Sequence, residues 1–542
     1  MRRKRLGVVT DGAFNAGLTV RLDPGVSTED LRIGDFVVVE GEQNRYFSMI
    51  SDIQLKVTDA TFLADPLRDA PPFIAQAIAG TNTYATVQVK PMLMLEKTDE
   101  WAIPDQPTGV QTVRTIPMHF AELCQADPLD FATVFGKEGG LNFAVGVPLT
   151  MDIPICIQLD RWVERSNGIF GQTGTGKSML ARLILSGIIK TGAAVNLVFD
   201  MHNEYAFDKQ TEDGGWVKGL RQLFGSKVLV YSLDEKMAAR RNVDVTLKLG
   251  LNQIEAEDVM LLAEELDLRP TTAATAGLLS DVYKEDWLRE LLKMSPEEVL
   301  AFCQASGAHP EATSALQRKL MAIKRRGYIV ERAPFSLIDE MVAALDAGKH
   351  IILQFGRYSH ALDYMLVANV VTRRIRRLYQ EKVERYEETK DPGDAPRPLM
   401  ITIEEAHKFL NPTAAKQTIF GQIARELRKY RVTLMVIDQR PSGIDPEVMS
   451  QLGTRVSGKL TEERDIEAVL TGVADRSTLR GALASLDTRQ QVLLMGHAVP
   501  MPIVVRTRPF DEEFYRAMGL REGRSAVEDI AELFGEATEG TG

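Results

Sequence analysis

The sequence feature that most constrains the fold of this chain is the octapeptide GQTGTGKS at residues 171–178. It matches the pattern G-x-x-x-x-G-K-[ST], in which the backbone N–H groups of a glycine-rich loop face phosphate oxygens. A short apolar segment at 168–170 precedes the loop, and an amphipathic helical pattern at 179–190 follows it. Because phosphate binding requires this order of strand, loop and helix, the flanks favour a phosphate-binding loop (P-loop) over a glycine-rich turn with an incidental lysine.

The residues of this loop have separate expected roles. Glycines allow the backbone to curl around a phosphate group, and the N-terminus of the following helix adds partial positive charge. We expect Lys177 to reach the β- and γ-phosphates of ATP, and the Ser178 hydroxyl to bind Mg²⁺. The expected ATP contacts are Gly171, Gln172, Thr173, Gly174, Thr175, Gly176, Lys177, Ser178 and Met179.

A second, acidic element follows the predicted strand at 399–403, where the sequence LMITIEEAH carries two adjacent glutamates. A P-loop enzyme needs one carboxylate near Mg²⁺ and one group that orients the attacking water. We assign the metal role to Glu404, which is one methylene longer than the usual aspartate, and the catalytic role to Glu405. The alternative is an acidic helix N-terminus after a buried strand, and the P-loop upstream makes this alternative less favoured.

A third predicted strand, at 433–437, ends in the polar segment Asp438-Gln439-Arg440. A polar side chain at such a strand tip can sense the γ-phosphate, and we assign this role to Gln439. The alternative is a strand-end turn imposed by the following Pro-Ser-Gly sequence at 441–443.

The order of the predicted elements indicates an α/β fold with two additions. Residues 1–160 carry short β-type segments separated by glycine and aspartate, which is typical of a small barrel. From about residue 165 onward, β-type apolar runs alternate with helical patterns, which indicates a parallel sheet covered on both faces. Between 252 and 345 the patterns are helical, and we interpret them as a helical bundle inserted into the α/β core.

The domain boundaries that follow are a β-barrel at 1–160, a first core segment at 161–251, the helical insertion at 252–345, a second core segment at 346–510 and a tail at 511–542. The predicted barrel strands are 6–10, 18–22, 35–40, 46–56, 84–94 and 143–147, with a loop at 65–82. The predicted core strands are 168–170, 194–199, 228–231, 351–355, 399–403, 433–437, 455–458, 491–495 and 503–506. The predicted helices of the insertion are 255–266, 272–283, 296–305, 311–324 and 334–344, and residues 521–542 are expected to be partly helical.

The charge balance disfavours a protein that coats nucleic acid with its whole surface. The chain has 64 Lys and Arg against 75 Asp and Glu, a formal net charge of −11, whereas such proteins are basic. A local basic channel remains compatible with this balance. Cys124, Cys156 and Cys303 lie far apart and form no zinc or disulfide pattern, and no apolar stretch approaches the roughly 18 residues of a membrane span. A cytoplasmic location without a membrane partner is expected.

Four segments together resemble the HerA family of RecA-fold ATPases, which are related to the FtsK DNA pumps. They are GQTGTGKS (171–178), DMHNEY (200–205), IEEAH (403–407) and IDQRPSGIDPEVMSQ (437–451). The β-rich start, the helical insertion and the closing segment PIVVRTRPF (502–510) also fit. One departure is Asn203, which stands where the family commonly has glycine. The resemblance implies a RecA-like P-loop ATPase core with an N-terminal β-barrel and an inserted helical bundle.

The same resemblance implies a function. Family members form homo-hexameric rings that use ATP to move double-stranded DNA through a central pore, and they typically work with a NurA-type nuclease in DNA end processing. Some members instead pair with other effector enzymes in antiviral defence. The alternative to a motor is therefore an ATP-dependent ring scaffold that regulates such an effector. A kinase is disfavoured, because kinases with this loop rarely combine it with IEEAH and DQRPS.

Hydrolysis in such rings usually needs an arginine, often one that a neighbouring subunit supplies. The resemblance places a nucleotide-contacting arginine at Arg165, twelve residues before Lys177. Arg425 and Arg428, which share one face of a predicted helix, are further candidates to reach across the interface, and Arg425 is preferred. The alternative for Arg425 and Arg428 is a solvated basic helix face.

Contact with DNA requires basic groups that touch phosphates. Two clusters stand out, RKLMAIKRR at 318–326 and TRRIRR at 372–377. From these we select Arg325, Arg326, Arg373 and Arg374 as candidate DNA contacts. The alternative for each cluster is a solvated helix face. No base-reading motif occurs in the chain, so binding by charge and shape is expected.

Overall fold

The computed structural model describes residues 3–58, 83–97, 110–210, 214–240, 242–334, 336–416, 418–426, 429–473, 476–487 and 490–520. The chain divides into two compact units. The first consists of Met1–Ile157 and Val499–Arg506, and the second of Gln158–Ala498 and Thr507–Gly542. The return of the segment Val499–Arg506 to the first unit is not anticipated by the sequence analysis, which places it in the second core segment.

Six strands of the first unit close into a barrel. They belong to a seven-stranded sheet whose strands are β1 (Arg5–Ala13), β2 (Gly17–Leu22), β3 (Phe36–Glu40), β4 (Asn44–Val57), β5 (Thr83–Glu96), β6 (Val110–Thr112) and β7 (Glu122–Gln125). Around the barrel the order is β1, β2, β5, β4, β3 and β7. The barrel closes because β2 pairs with both β1 and β5. Side chains such as Val9, Val20 and Val89 fill the interior, as the alternation of a half-buried strand requires.

A helix, α1 (Pro128–Phe135), and three further strands complete the first unit. Asp127 caps the helix by accepting the N–H of Asp130 at 2.9 Å. The ring of Phe131 packs edge-on against Phe36 and Phe47. The additional strands are β8 (Asn142–Pro148), β9 (Ile155–Gln158) and β23 (Ile503–Thr507). Neither α1 nor the strands β6, β7 and β9 are predicted from the sequence, and the predicted loop at 65–82 lies outside the described residues.

The sheet of the second unit confirms the expected parallel α/β core. Its strands are β10 (Asn167–Phe170), β11 (Val195–Asp200), β14 (Val228–Ser232), β15 (Val245–Thr246), β18 (His350–Gln354), β19 (Leu399–Glu404), β20 (Val432–Asp438), β21 (Thr454–Ser457) and β22 (Gln491–Gly496). They follow the order β15-β14-β18-β11-β19-β20-β10-β21-β22, and each pair is parallel except β21 with β22. The central strands are buried on both faces, which explains their continuous apolar runs.

Helices and short strand pairs complete this unit. The short pairs are β12 (Lys209–Gln210) with β13 (Trp216–Val217), and β16 (Leu249–Gly250) with β17 (Ile329–Val330). The helices before the insertion are α2 (Leu159–Glu164), α3 (Lys177–Thr191), α4 (Leu220–Phe224) and α5 (Glu235–Arg240). The helices of the insertion are α6 (Ala256–Leu261), α7 (Pro270–Tyr283), α8 (Trp287–Lys293), α9 (Pro296–Ser306), α10 (Pro310–Lys324) and α11 (Ser336–Asp346). Helix α8 is not predicted from the sequence.

The remaining helices follow the insertion. They are α12 (Ala361–Thr389), α13 (His407–Leu410), α14 (Ile419–Glu426), α15 (Pro446–Gln451), α16 (Glu463–Val469), α17 (Arg476–Ser485) and α18 (Glu512–Ala517). The helical expectation for 521–542 lies outside the described residues. Within the described part of the chain, no helix is both long enough and apolar enough to span a bilayer.

Candidate nucleotide site

The register of the parallel sheet brings the three sequence-identified elements to one edge. Phe170, the last residue before the P-loop, pairs with Asp438, and Glu404 pairs with Ile437. Asp200 ends the strand beside β19. Because carboxyl ends of parallel strands meet at one edge, the segments that follow these strands surround a common cavity of about 680 Å³.

The P-loop backbone has the curled form that phosphate binding needs. Gly174 and Gly176 adopt φ values of 81° and 85°, which are unfavourable for residues with a side chain. Helix α3 begins directly after Gly176, and its N-terminus has no side-chain cap. Its first N–H groups are therefore available to an anion, as at other helix N-termini.

Lys177 is folded back onto this loop. Its Nζ donates to the carbonyl oxygen of Gln172 at 2.8 Å. Burial lowers the pKa of Lys177, while the surrounding carboxylates, of which Glu405 and Asp438 are the strongest, act in the opposite direction. The ammonium group therefore lies beside the loop. When a nucleotide is bound there, the negative charge nearest to Lys177 would be that of the γ-phosphate rather than that of the carboxylates.

Glu405, Gln439 and Thr173 form a hydrogen-bonded chain across the cavity. The Thr173 hydroxyl donates to Oε1 of Gln439 at 2.6 Å, and Nε2 of Gln439 donates to Oε1 of Glu405 at 3.2 Å. Glu405 has a φ of 49°, a left-handed conformation that costs free energy in a residue other than glycine and that recurs at functional sites. The structure therefore joins the predicted catalytic carboxylate and the predicted γ-phosphate sensor directly to the P-loop.

Glu404 lies deeper in the same cavity. Its Oε1 accepts the Tyr205 hydroxyl at 2.9 Å, whereas its buried Oε2 has no hydrogen-bond partner among the described residues. Burial, reinforced by Asp200 and Glu204, raises the pKa of Glu404 well above its usual range. A cation would satisfy this oxygen and favour the ionised carboxylate, so the residue fits a place in the outer surroundings of Mg²⁺.

The described residues contain no group of three or more His, Cys, Asp or Glu side chains arranged to hold a metal ion.

The segment after β11 supplies residues to which the sequence analysis assigns no role. Asp200 accepts the N–H groups of Glu204 and Tyr205 at 2.6 and 3.0 Å, which closes a tight turn. Asn203 in this turn has a φ of 54°, so it adopts the left-handed conformation that the usual glycine would provide and that asparagine tolerates. Glu204 hydrogen-bonds Ser178 and forms an ion pair with Lys209.

Further cavity residues come from helix α3 and from the C-terminal part of the chain. Arg182 is 2% exposed, and its guanidinium donates to the carbonyl oxygens of Glu204 and Lys218. Gln490, Val492 and residues 507–511 line the opposite side. The sequence of the closing segment at 502–510 predicts a strand, but it indicates no function for residues 507–511.

His407 connects the catalytic segment to the tip of β20. Both its backbone N–H and its Nδ1 lie within hydrogen-bond distance of Oδ2 of Asp438, at 2.7 and 2.9 Å. The hydrogen bond to Asp438 raises the pKa of His407 above its ordinary 6.5, and Glu405 acts in the same direction while Lys408 opposes it.

The raised pKa predicts a pH-dependent contribution to stability. The stabilisation from protonated His407 is complete below about pH 6.5 and is lost as pH rises through the higher pKa of the folded state. We expect His407→Gln to lower the melting temperature more at about pH 6 than at about pH 9. Thermal unfolding of the two proteins measures this, with the exposed His119→Gln as control. An equal difference at both pH values would contradict the assignment.

Two of the predicted nucleotide-contacting arginines, Arg165 and Arg425, are not among the described residues that line the cavity of their own chain. Arg165 precedes β10 at the end remote from the P-loop and packs tightly on Gly453, where an added Cβ would lie 2.6 Å from the Cβ of Arg165. Arg425 donates to the carbonyl oxygens of Gly421 and Ala415. Arg428 lies outside the described residues.

The four candidate DNA contacts differ in whether they form ion pairs within the chain. Arg373 binds Asp258, Arg374 binds Asp339 at 2.9 and 3.1 Å, and Arg326 lies 3.0 Å from Asp363. Arg325 is exposed and has no carboxylate partner among the described residues. The ion pairs favour a structural role for the first three arginines and leave Arg325 as the accessible cation of the set.

The contrast between Arg373 and Arg325 gives a stability prediction. The Asp258 side chain is fully buried, and burial raises its pKa, so removal of the Arg373 guanidinium leaves a buried carboxyl group without its cation. We expect Arg373→Ala to cost about 3–5 kcal/mol of folding free energy. Arg325→Ala should change stability by less than about 0.5 kcal/mol. Denaturant unfolding of both variants tests this, and equal stabilities would show that the ion pair is not needed.

Comparison with known proteins adds independent information. DNA double-strand break repair helicase HerA of Sulfolobus acidocaldarius is 22% identical over 513 residues, which cover 93% of this chain and 94% of that protein. The protein of the same description from Sulfurisphaera tokodaii is 22% identical, with coverage of 97% and 98%. Among solved structures, VirB4 of Thermoanaerobacter pseudethanolicus has a TM-score of 0.46 and 15% identity, and covers 70% of this chain and 100% of its own.

Two family models match separate parts of the chain. The model of the HAS barrel domain matches residues 6–87, and the model described as the central domain of helicase HerA matches residues 143–375. Together they cover more than half of the chain, and the second includes the P-loop and the turn at 200–205. The chain therefore belongs to the HerA helicase family, and it is a P-loop ATPase.

Proposed function

We propose that this chain is an ATP-driven motor that moves along double-stranded DNA as a homo-hexameric ring in the cytoplasm. The observation that carries the proposal is the meeting of the P-loop, Glu405 and Gln439 at one cavity in a HerA-family chain. The curated relatives that match almost the whole chain are described as DNA double-strand break repair helicases, which supports DNA as the partner.

The cavity residues divide the work of ATP hydrolysis. The P-loop N–H groups and Lys177 bind the phosphates, and Ser178 and Glu404 would hold Mg²⁺, Glu404 from its outer surroundings. The bound ion would neutralise charge on the β- and γ-phosphate oxygens. Glu405 orients the attacking water and accepts its proton, while Gln439 contacts the γ-phosphate in place of Thr173. Because Gln439 also hydrogen-bonds Glu405, its movement from Thr173 to the γ-phosphate would couple phosphate binding to the position of Glu405.

A ring explains the positions of the predicted arginines. Arg165 and Arg425 lie away from the cavity of their own chain, so each can serve ATP hydrolysis only at the cavity of an adjacent subunit. Arg428 remains a third candidate for the same role. We therefore propose that hydrolysis requires oligomerisation.

DNA contact is proposed to rest on few cations in a chain that is acidic overall. Arg325 is the accessible member of the four candidates, and Arg326, Arg373 and Arg374 are proposed mainly to hold the helices that present it. With a net charge of −11, attraction to DNA must come from a local basic channel rather than from the whole surface. ATPase stimulation by DNA should consequently fall steeply with salt.

A nuclease of the NurA type, in DNA end processing, is the proposed partner of the motor. An ATP-dependent ring scaffold for an effector in antiviral defence is the alternative, and it predicts a different response to DNA. Co-purification from the native host, followed by identification of the bound protein, would distinguish the two partners.

The decisive experiment measures ATP hydrolysis by the full chain with and without duplex DNA, across a salt series. The motor predicts strong stimulation that declines as salt rises, and Arg325→Ala should weaken the stimulation without lowering the basal rate. Exposed Lys190→Ala, at the far end of helix α3, provides the charge-matched control. Nucleotide-dependent oligomerisation without DNA stimulation would favour the scaffold, and a response insensitive to salt would refute the basic channel.

A further inference from the structure

The nucleotide cavity extends to both sides of the P-loop. In the sheet, the P-loop strand β10 lies between β20 and β21, and β22 follows β21. The side toward β20 and β19 contains Glu404, Glu405 and Gln439. The opposite side is bounded by Gln490 and Val492, near the start of β22, and by residues 507–511. The Thr507 N–H donates to the Gln490 carbonyl oxygen at 2.7 Å, which holds these two segments together.

The two sides have different chemistry. The side toward β20 carries the carboxylates and the amide that act on the γ-phosphate. The residues near the closing segment include a set of apolar side chains, which are Leu183, Val217, Val492, Pro509 and Phe510. Asp511 lies there as well, but its carboxylate accepts the N–H of Phe514 at 3.0 Å and caps helix α18. A phosphate chain on the loop with its γ end at Glu405 therefore directs the nucleoside toward this apolar wall.

Phe510 is held in place by its neighbours. Its ring centroid lies 4.7 Å from that of Phe514 and 5.3 Å from that of Tyr515. The Tyr515 hydroxyl donates to the Phe510 carbonyl oxygen at 3.1 Å and accepts the backbone N–H of Lys218 at 3.2 Å. A half-buried aromatic ring at the edge of a cavity, fixed by packing and by hydrogen bonds, is a preorganised surface for a flat ligand.

We propose that residues 507–511 form the base-binding wall of the nucleotide site and that Phe510 stacks on the purine. This inference rests on the proposed use of ATP and extends it to the base. Stacking uses the π face that all bases share, so Phe510 should strengthen the binding of adenine and guanine nucleotides alike. It should contribute nothing to the binding of a ligand that lacks a base.

The test compares the affinities of ADP, GDP and inorganic tripolyphosphate for the full chain and for two variants, by calorimetric titration. Phe510→Ala should bind both nucleotides about tenfold more weakly and should bind tripolyphosphate as the wild type does. Phe510→Trp retains an aromatic face and should keep nucleotide affinity within about twofold of the wild type. Unchanged tripolyphosphate binding also shows that the P-loop of each variant is folded.

The outcomes separate this inference from the proposed function. Wild-type nucleotide affinity in Phe510→Ala would overturn the base-binding wall and leave the ATPase assignment intact. An equal loss of affinity for nucleotides and tripolyphosphate would also overturn it, because the substitution would then act through the loop. If the wild type binds none of the three ligands, both proposals fail.

Discussion

Lys177→Ala is expected to abolish ATP hydrolysis, with a loss of at least about 100-fold, because it removes the cation that stabilises charge on the transferred phosphoryl group. The Nζ atom of Lys177 lies against the P-loop, 2.8 Å from the Gln172 carbonyl oxygen. Carboxylates surround it, and their attraction for the ammonium group opposes the effect of burial on its pKa. Without Lys177, phosphate oxygens would meet these carboxylates with no compensating charge nearby on the loop.

A steady-state measurement of phosphate release tests this prediction. Lys190→Ala is the matched control, because Lys190 lies on the same helix but is exposed at its C-terminal end. We expect the control to retain the wild-type rate. If Lys177→Ala also retains it, the P-loop is not the hydrolytic site, and the assignment of the whole cavity is wrong.

Glu405→Gln is expected to separate ATP binding from hydrolysis. Glutamine has nearly the shape of glutamate, and its amide oxygen can still accept the Nε2–H group of Gln439 that now lies 3.2 Å from Oε1. It cannot take a proton from water, however, so the rate should fall by about 100-fold or more while ATP affinity is retained. The variant should therefore hold ATP in its cavity.

Retention of unhydrolysed ATP after gel filtration, together with the hydrolysis rate, measures both parts of this prediction. Glu467→Gln removes an exposed carboxylate from helix α16 and is the control, with an expected rate equal to that of the wild type. Normal hydrolysis by Glu405→Gln would show that another group activates the water. Loss of ATP binding would show that Glu405 supports the site rather than the chemistry.

Much of the fold could be predicted because its signals are local. The apolar runs that became β10, β19 and β20 are contiguous in sequence, and burial on both faces produces such runs. Helix α8 of the insertion is not predicted. The strand β7 of the barrel is not predicted either, because it has only four residues and is stabilised by its pairing with β1 and β3. Short elements of this kind depend on contacts that a local pattern does not record.

The site shows the same division. The loop glycines, Lys177, Glu405 and Gln439 could be found because each follows a strand in a recognisable local order. Glu204 and Phe510 could not be assigned a role, because their place at the cavity depends on the register of distant strands and on the packing of the closing segment. Both segments resemble parts of the HerA family in sequence, but their sequences alone indicate no chemistry.

Short stretches of sequence and their spacing are sufficient to predict the P-loop, the parallel α/β core and the resemblance to the HerA family. The use of the arginines depends instead on the tertiary structure. Arg373 and Arg325 look equivalent in sequence, yet the first meets Asp258 from another helix and the second faces solvent. The physical reason is that an ionic group takes the partner that the fold places beside it, and that partner can lie more than 100 residues away.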